Sequence, residues 1–227
     1  MSENVTTKSN LQKNTTRVKL STTEESLPVL HPPLDGAKIN VAFIMTKGAT
    51  MIDFAGPWEV FQDVGTKDGE AFRLYIVSDE LKLIEATGGM KIMPDFTFKT
   101  APTPQVIVVP AQNGHSDAML DWLRKNSSTA DVTMSVCAGA FQLARAGILD
   151  GLRATTHHQS LDDLAKMFPK ITVDRDARFV ENNRVSTAAG LTSGIDLALR
   201  IVERYFGREK AERVANFMEY HSKSWIV

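Results

Sequence analysis

Several features that would direct the interpretation of a chain are missing from this one. It has a single cysteine in 227 residues, which excludes an intrachain disulfide and a cluster of thiolate ligands for a metal. No apolar run approaches the ~20 residues that a helix needs to span a bilayer. The formal net charge of −1 offers no electrostatic reason to expect nucleic acid or an acidic membrane surface as a partner. These absences predict a soluble protein, and a cytoplasmic location is expected because a reducing compartment suits a working thiol.

Length and composition indicate one large α/β domain preceded by a polar extension. Hydrophobic residues make up 43% of the chain and charged residues 23%, which are ordinary values for a globular protein. The extension, residues 1–37, is dominated up to Glu25 by Ser, Thr, Asn, Lys and Glu and has no apolar segment of a secretory leader. It buries too little surface to offset its ordering entropy, so we expect it to be disordered or strap-like, with residues 27–33 as the strap. Residues 38–227 form the predicted domain.

From residue 38 onward, apolar runs with strand character alternate with helical patterns. Strands that are apolar throughout, separated by helices, predict a mostly parallel central sheet with helices on both faces. Hairpins are predicted around Gly88-Gly89 and Asn182-Asn183. The predicted strands are 39–45, 72–77, 105–110, 131–136 and 153–156. The last residues of one predicted helix are 58–64, and the other predicted helices are 117–126, 160–168, 194–206 and 209–220.

Cys137 lies where a strand is predicted to turn abruptly into a helix. Residues 131–136 (DVTMSV) are rich in β-branched and apolar side chains, and residues 141–147 (FQLARAG) are typical of a short helix that stops at a glycine. A strand-Cys-x-Gly-helix turn resembles a nucleophile elbow. At such a turn, unsatisfied N–H groups and the helix dipole are expected to lower the thiol pKa. A buried structural thiol is the alternative that the local pattern leaves open.

Polar residues that follow the predicted strands are the candidates to meet Cys137, because ligands of parallel sheets bind beyond the carboxyl ends of the strands. Asp53 lies just before a predicted helix, where a carboxylate that merely caps the helix is the alternative. Residues 110–115 (PAQNGH) form a turn able to present backbone N–H groups to an anion. His157 ends the strand after the elbow, where a structural hydrogen bond is the alternative to a general base.

Three motifs in order along the chain resemble the ThiJ/PfpI superfamily of class I glutamine amidotransferase-like proteins. They are residues 53–61 (DFAGPWEVF), 135–140 (SVCAGA) and 153–157 (RATTH), and residues 187–194 (TAAGLTSG) are similar to the family's late loop. The resemblance runs from about residue 38 to about residue 220. Within the superfamily, these motifs look most like the isocyanide hydratase branch and the amidotransferase-like domains of AraC-type regulators.

The resemblance implies a flavodoxin-like α/β sandwich with a nucleophile-elbow cysteine, commonly a homodimer. Cys137 matches the nucleophile, and Asp53 matches the carboxylate that contacts the thiol in isocyanide hydratases. His157 matches a histidine that the family keeps beside the elbow. We therefore take Cys137, Asp53 and His157 as the predicted catalytic residues.

Two departures from the family pattern bear on the pocket. Ala138 stands where peptidase-like members have a histidine, so proteolysis is not expected, and where hydratases often carry a threonine. Residues 110–114 lack the usual pair of glycines after the proline. The predicted substrate- or oxyanion-binding positions are Ala111, Gln112 and Ala138, in a pocket of altered shape.

The reaction that fits the resemblance is the addition of water to a small-molecule isonitrile (isocyanide), which gives an N-substituted formamide. Cys137 would attack the substrate, and Asp53 would serve as general acid and base beside it. Such a hydro-lyase needs no organic cofactor. The other histidines lack the spacing of metal ligands, so no metal is predicted.

Two other functions stay open at this point. A glyoxalase- or deglycase-like enzyme would use the same thiol on α-oxoaldehydes, with His157 as general base. A non-catalytic ligand or redox sensor, related to the domains of AraC-type regulators, would need no turnover at all.

Overall fold

The computed structural model describes residues 27–34, 36–67 and 69–227. Most of the predicted polar extension, residues 1–26 and residue 35, lies outside the described residues. The described residues form thirteen strands and six α-helices. The strands are β1 (Ile39–Ile44), β2 (Gly65–Thr66), β3 (Gly69–Glu70), β4 (Phe72–Ser78), β5 (Ile84–Glu85), β6 (Lys91–Ile92), β7 (Phe96–Thr97), β8 (Val106–Val109), β9 (Val132–Val136), β10 (Arg153–Ala154), β11 (Thr172–Val173), β12 (Phe179–Glu181) and β13 (Val185–Ala188). The helices are α1 (Met51–Gln62), α2 (Asp117–Ser127), α3 (Ala140–Arg145), α4 (Leu161–Met167), α5 (Ser193–Phe206) and α6 (Arg208–Phe217).

Seven of the strands form one sheet, in the order β12-β13-β9-β8-β1-β4-β7. All neighbours pair in parallel except β12 and β13, which are antiparallel. The central strands β8 and β9 are buried along their whole length, since helices cover both of their faces. The mostly parallel sheet with helices on both faces that the sequence predicts is confirmed.

The central strands contribute alternate residues to two apolar cores, one on each face of the sheet. Val41 and Phe43 of β1 pack on one face of the sheet with residues of α1, α5 and α6. Ala42 and Ile44 of the same strand pack on the other face with residues of α2, α3 and α4. Because successive side chains of a strand point to opposite faces, a run that is apolar throughout is needed here.

Both predicted hairpins are present, but other boundaries differ from the prediction. Strands β5 and β6 pair around Gly88-Gly89, and β12 and β13 pair around Asn182-Asn183. The predicted strand 153–156 is shorter, since only β10 is extended, and it pairs with β11 in a separate two-stranded sheet. The helix after β1 starts at Met51, so the expectation that Asp53 precedes it is wrong. Thr50 is the residue at the helix start, and Asp53 lies inside the first turn, where a carboxyl group interacts favourably with the helix dipole.

The described end of the extension contacts helix α5. Leu30 is buried, and its N–H donates to the carbonyl oxygen of Arg204 at 3.0 Å. The Arg204 guanidinium in turn donates to the Pro28 carbonyl at 3.5 Å. The domain boundary at residue 37 stays a prediction. Within the described part of the chain, every helix is too short or too polar to cross a bilayer.

Candidate active site

The chain makes a strained turn at Cys137, between β9 and α3. Cys137 has a φ of 57°, in the left-handed region that costs a non-glycine residue about 1 kcal/mol. Both of its backbone groups are held from outside the turn. Its N–H donates to the Ala189 carbonyl at 2.7 Å, and its carbonyl accepts from the Thr156 hydroxyl at 2.8 Å. These bonds come from residues far along the chain, so the tertiary structure maintains the strained conformation of the buried cysteine at the elbow.

Gly139 is required by a close approach of two backbones. A Cβ at this position would lie 2.0 Å from the carbonyl oxygen of Val109, at the end of β8. No side chain can occupy that space, which explains the glycine two residues after the cysteine. The glycine of the strand-Cys-x-Gly-helix pattern therefore has a steric cause, the contact with strand β8.

Asp53 is fully buried in the first turn of α1, faces the thiol and has few hydrogen-bond donors to stabilise a negative charge. Its Oδ2 accepts from the Ala111 N–H at 3.1 Å. Its Oδ1 has no hydrogen-bond partner of normal geometry among the described residues, although the Cys137 thiol interacts with the carboxyl group. Burial raises the pKa of Asp53 to about 7, and the Ala111 N–H and the thiol offset only part of that effect. At neutral pH this carboxyl group is thus poised between its acid and base forms.

The thiol of Cys137 has a raised pKa, so the expectation from the helix N-terminus is wrong in sign. Burial is the largest cause, and the nearby Asp53 charge adds to it. The backbone N–H groups of Ala138 and Leu191 act on the sulfur as hydrogen-bond donors and lower its pKa, but by less. The turn supplies the predicted N–H donors. The local sequence does not show how deeply the thiol is buried or that the Asp53 carboxyl group faces it.

Cys137 and Asp53 consequently act as one titrating pair. Among the described residues, no salt bridge involves Asp53, so the pair carries its charge without a cation. Two acidic groups this close resist ionising together, and because the thiol pKa is raised as well, Asp53 is the group that ionises first. In the singly protonated pair, the remaining proton can move from the thiol to the Asp53 carboxylate. Such a pair can present a thiolate beside a carboxylic acid, the arrangement needed for nucleophilic attack with proton donation.

All three predicted substrate-binding residues, Ala111, Gln112 and Ala138, line a cavity of about 480 Å³. Cys137 and Asp53 are not among its lining residues, but Ala138 follows Cys137 in the chain and the Ala111 N–H bonds to Asp53. Two of these residues also make hydrogen bonds within the protein that the sequence did not predict. The Ala111 N–H is engaged by Asp53, and the Gln112 Oε1 accepts from the Thr46 N–H at 2.7 Å. The Gln112 Nε2 is buried and has no partner among the described residues, which leaves it as a donor for a bound molecule.

The hairpin β5–β6 also lines this cavity, which the sequence did not predict. Thr87, Gly88 and Gly89 line it from the turn between the two strands. Gly88 and Gly89 have φ values of 70° and 79°, a conformation that favours glycine. Paired glycines after a short strand are the signal for a tight turn, but they do not indicate which cavity the turn closes.

His157 is not brought to the Asp53–Cys137 pair. Its ring lines a different cavity, of about 350 Å³, and packs so closely on Gly190 that a Cβ there would lie 2.5 Å from the ring. Its Nδ1 accepts from the Gln159 N–H at 3.3 Å. Burial, and then the charge of His158, lower its pKa. The neighbour that does reach the elbow is Thr156, through its hydroxyl group.

The described residues contain no group of three or more His, Cys, Asp or Glu side chains arranged to hold a metal ion.

Comparisons with known proteins find relatives of more than one kind. A model of the DJ-1/PfpI family matches residues 39–204. The isonitrile hydratase of Pseudomonas putida is 30% identical over 187 residues, which cover 80% of this chain and 78% of that protein. The HTH-type transcriptional regulator GbdR of Pseudomonas aeruginosa is 24% identical over 194 residues. That match covers 83% of this chain but only 53% of the regulator, so the chain spans about half of the regulator's length.

The fold also has a counterpart among solved structures. The crystal structure of a THiJ/PfpI family protein from Pseudomonas syringae superposes with a TM-score of 0.72 at 25% sequence identity. The match covers 92% of this chain and 84% of the other. This agreement confirms the flavodoxin-like α/β sandwich expected from the sequence motifs.

Proposed function

The chain belongs to the DJ-1/PfpI family, and from that premise we propose that it is a cysteine-dependent hydro-lyase that adds water to an isonitrile. The observation that carries the proposal is the buried Asp53–Cys137 pair, whose carboxyl pKa is raised to about 7. In its singly protonated form, the pair has a proton that can move to a substrate. The similarity to an isonitrile hydratase over most of both chains supports the same reaction.

The proposed reaction balances without any further reactant than water. The Cys137 sulfur attacks the terminal carbon of R–N≡C, and the proton held by the pair moves from Asp53 to that carbon. The product of this step is a thioimidate, R–N=CH–S–Cys137. Asp53 is now a carboxylate, placed to act as the base for the next step.

Water then adds to the thioimidate carbon: Asp53 accepts one proton of the water and passes it to the substrate nitrogen, which leaves Asp53 a carboxylate again. The tetrahedral adduct R–NH–CH(OH)–S–Cys137 breaks its C–S bond, and the thiolate leaves as the hydroxyl group gives its proton to Asp53. The product is the formamide R–NH–CHO. The net change is the addition of one water molecule, and the pair recovers its proton.

The cavity lined by Ala111, Gln112 and Ala138 supports this chemistry. The Gln112 Nε2 lacks a partner among the described residues and would donate to the developing nitrogen or oxygen. The Ala111 N–H is better assigned to holding Asp53 than to the substrate. His157 has no step in this scheme, which is consistent with its place in another cavity. The homodimer and the cytoplasmic location stay predictions.

The experiment that tests the proposal is an assay of formamide production from an aliphatic isonitrile. We expect Cys137→Ala to abolish turnover and Asp53→Asn to lower it about 10²- to 10⁴-fold, because the asparagine cannot donate or accept the proton. Asp63→Asn changes a carboxyl group at the other end of α1 and serves as the matched control, with turnover like that of the wild type. Undiminished turnover in either site variant contradicts the assigned role.

The same assay separates the alternatives. Methylglyoxal consumption without isonitrile hydration favours the glyoxalase-like reaction, although the position of His157 gives no support to its use as the base there. A wild-type protein that turns over neither substrate favours the sensor, for which the similarity to a transcriptional regulator is the supporting observation.

A further inference from the structure

The loop formed by residues 189–192 touches Cys137 twice. The Ala189 carbonyl accepts from the Cys137 N–H at 2.7 Å, and the Leu191 N–H acts on the sulfur and lowers the thiol pKa. Leu191 has a φ of 52°, a left-handed conformation that a leucine adopts only when its surroundings impose it. The direction of this N–H therefore depends on whatever holds the loop.

Arg178 holds the loop at both of its ends. Its carbonyl oxygen accepts from the Ala189 N–H at 3.0 Å. Its guanidinium donates through Nη2 to the Thr192 hydroxyl at 3.0 Å. The Thr192 side chain does not cap helix α5, so the bond to Arg178 is its role in the structure. The strained Leu191 lies between these two points of attachment.

The guanidinium of Arg178 is itself anchored in the interior. Its Nε donates to Oδ2 of Asp196, a fully buried carboxylate in the first turn of α5. The Tyr220 hydroxyl donates to the same oxygen at 3.0 Å, and the Ser222 hydroxyl donates to Oδ1 at 2.9 Å. A carboxylate with this many donors is a rigid support, so Arg178 has little freedom to release Thr192.

We propose that Arg178 is a positioning residue for the Cys137 nucleophile: anchored on Asp196, it holds the loop 189–192 so that the Leu191 N–H is aimed at the sulfur. The inference concerns the thiol, and it does not depend on which substrate the thiol attacks.

The charges around the sulfur make the effect of Arg178 measurable. Asp53 of α1 is the titratable side chain that acts on the thiol, and Ala138 and Leu191 contribute backbone N–H groups. Arg178 acts on the thiol through the direction of the Leu191 N–H. When that direction is lost, the thiolate is less stabilised, and a smaller share of the thiol is ionised at neutral pH.

The test follows the rate at which iodoacetamide alkylates the protein, measured by mass spectrometry from pH 6 to pH 10. The chain has one cysteine, so the signal reports Cys137 alone. Thr192→Val removes the hydroxyl group that accepts from Arg178 and keeps the hydrogen bond from Arg178 to Asp196. We expect alkylation at pH 7 to fall about fivefold and the profile to move to higher pH, since a hydrogen bond to a charged group is weakened. Arg178→Lys, which lacks the second donor arm, is expected to do the same.

Ser222→Ala is the matched control, because it removes a donor to Asp196 without touching Arg178 or Thr192. We expect it to lower thermal stability and leave the alkylation profile unchanged. The inference is overturned if Thr192→Val alkylates like the wild type, or if Ser222→Ala shifts the profile as much as Thr192→Val does. If Arg178→Lys does not fold, Thr192→Val and Ser222→Ala decide the matter between them. The same order is expected in the Asp53→Asn background, where no carboxyl group titrates beside the thiol.

Discussion

Asp53 and Asp196 are two fully buried carboxyl groups in equivalent places with opposite surroundings. Each lies in the first turn of a helix, α1 or α5, and the two helices pack on the same face of the sheet. Asp196 receives donors from three side chains, Arg178, Tyr220 and Ser222. Asp53 receives one backbone N–H, and one of its oxygens has no partner among the described residues.

The difference separates an anchor from a reactive group. A buried carboxylate with a cation and hydroxyl donors is stable in its charged form and holds its neighbours in place. A buried carboxyl group without such donors is costly to ionise, and this cost is what raises the pKa of Asp53 to about 7. Buried polar groups that lack partners concentrate at functional sites, and the pair Asp53–Cys137 follows that rule.

Replacing the anchor should produce the largest effect on stability. Asp196→Asn removes the charge that Arg178 is paired with and leaves donors facing an amide, so we expect the free energy of unfolding to fall by about 3 kcal/mol. Urea unfolding at pH 7.5 measures this. A loss below about 1 kcal/mol would mean that Asp196 is compensated no better than Asp53, and the comparison would fail.

The same substitution at Asp53 should act in the opposite direction. Because its pKa in the folded protein is raised from 3.8 to about 7, Asp53 ionises in the unfolded chain before it ionises in the folded one. Its contribution to stability is therefore fully present below pH 4 and is lost as the pH rises through 7. The pKa shift corresponds to at most ~4 kcal/mol of stability. We expect Asp53→Asn to raise the free energy of unfolding by about 2 kcal/mol at pH 8, since local relaxation in the wild type already relieves part of the cost of ionising the buried carboxyl group.

Urea unfolding of both proteins at pH 4.5 and pH 8 checks this prediction. The gain should be small at the lower pH and appear at the higher one. A variant that is less stable than the wild type at pH 8 would show that Asp53 is a structural carboxylate like Asp196.

The smallest effect is expected at His157, which lies outside the pair. In His157→Asn, the amide oxygen can accept the Gln159 N–H in place of Nδ1. We expect alkylation of Cys137 and any isonitrile turnover to stay within about twofold of the wild type. A loss of about 100-fold, the scale of a missing general base, would place His157 in the chemistry and favour the glyoxalase-like reaction.

Much of this site could be predicted from local patterns. The apolar strand before Cys137, the glycine two residues after it and the helical run that follows identify the elbow, because strand and turn formation depend on neighbours in sequence. The position of Asp53 after the first strand also places it at the correct edge of the sheet. The positions of Ala111 and Gln112 follow from the same rule applied to the predicted strand 105–110, which is β8 in the structure.

What the patterns missed depends on contacts between distant residues. Leu191 carries no catalytic group, and its N–H matters only because a loop 54 positions after Cys137 folds back onto the sulfur. Likewise, His157 follows a strand in sequence, but that strand lies in a separate two-stranded sheet, and the residue after it that bonds to Cys137 is Thr156.

Patterns along the chain are enough to predict the parallel sheet, the elbow at Cys137 and the location of Asp53 and Cys137 at one edge of the sheet, since periodicity and turn chemistry act over a few residues. The packing of distant elements sets how deeply the thiol is buried, which is the largest cause of its raised pKa, and which of the two buried carboxyl groups is compensated. The stability of a charge depends on burial and on donors from every element packed around it, and neither can be read from neighbours along the chain.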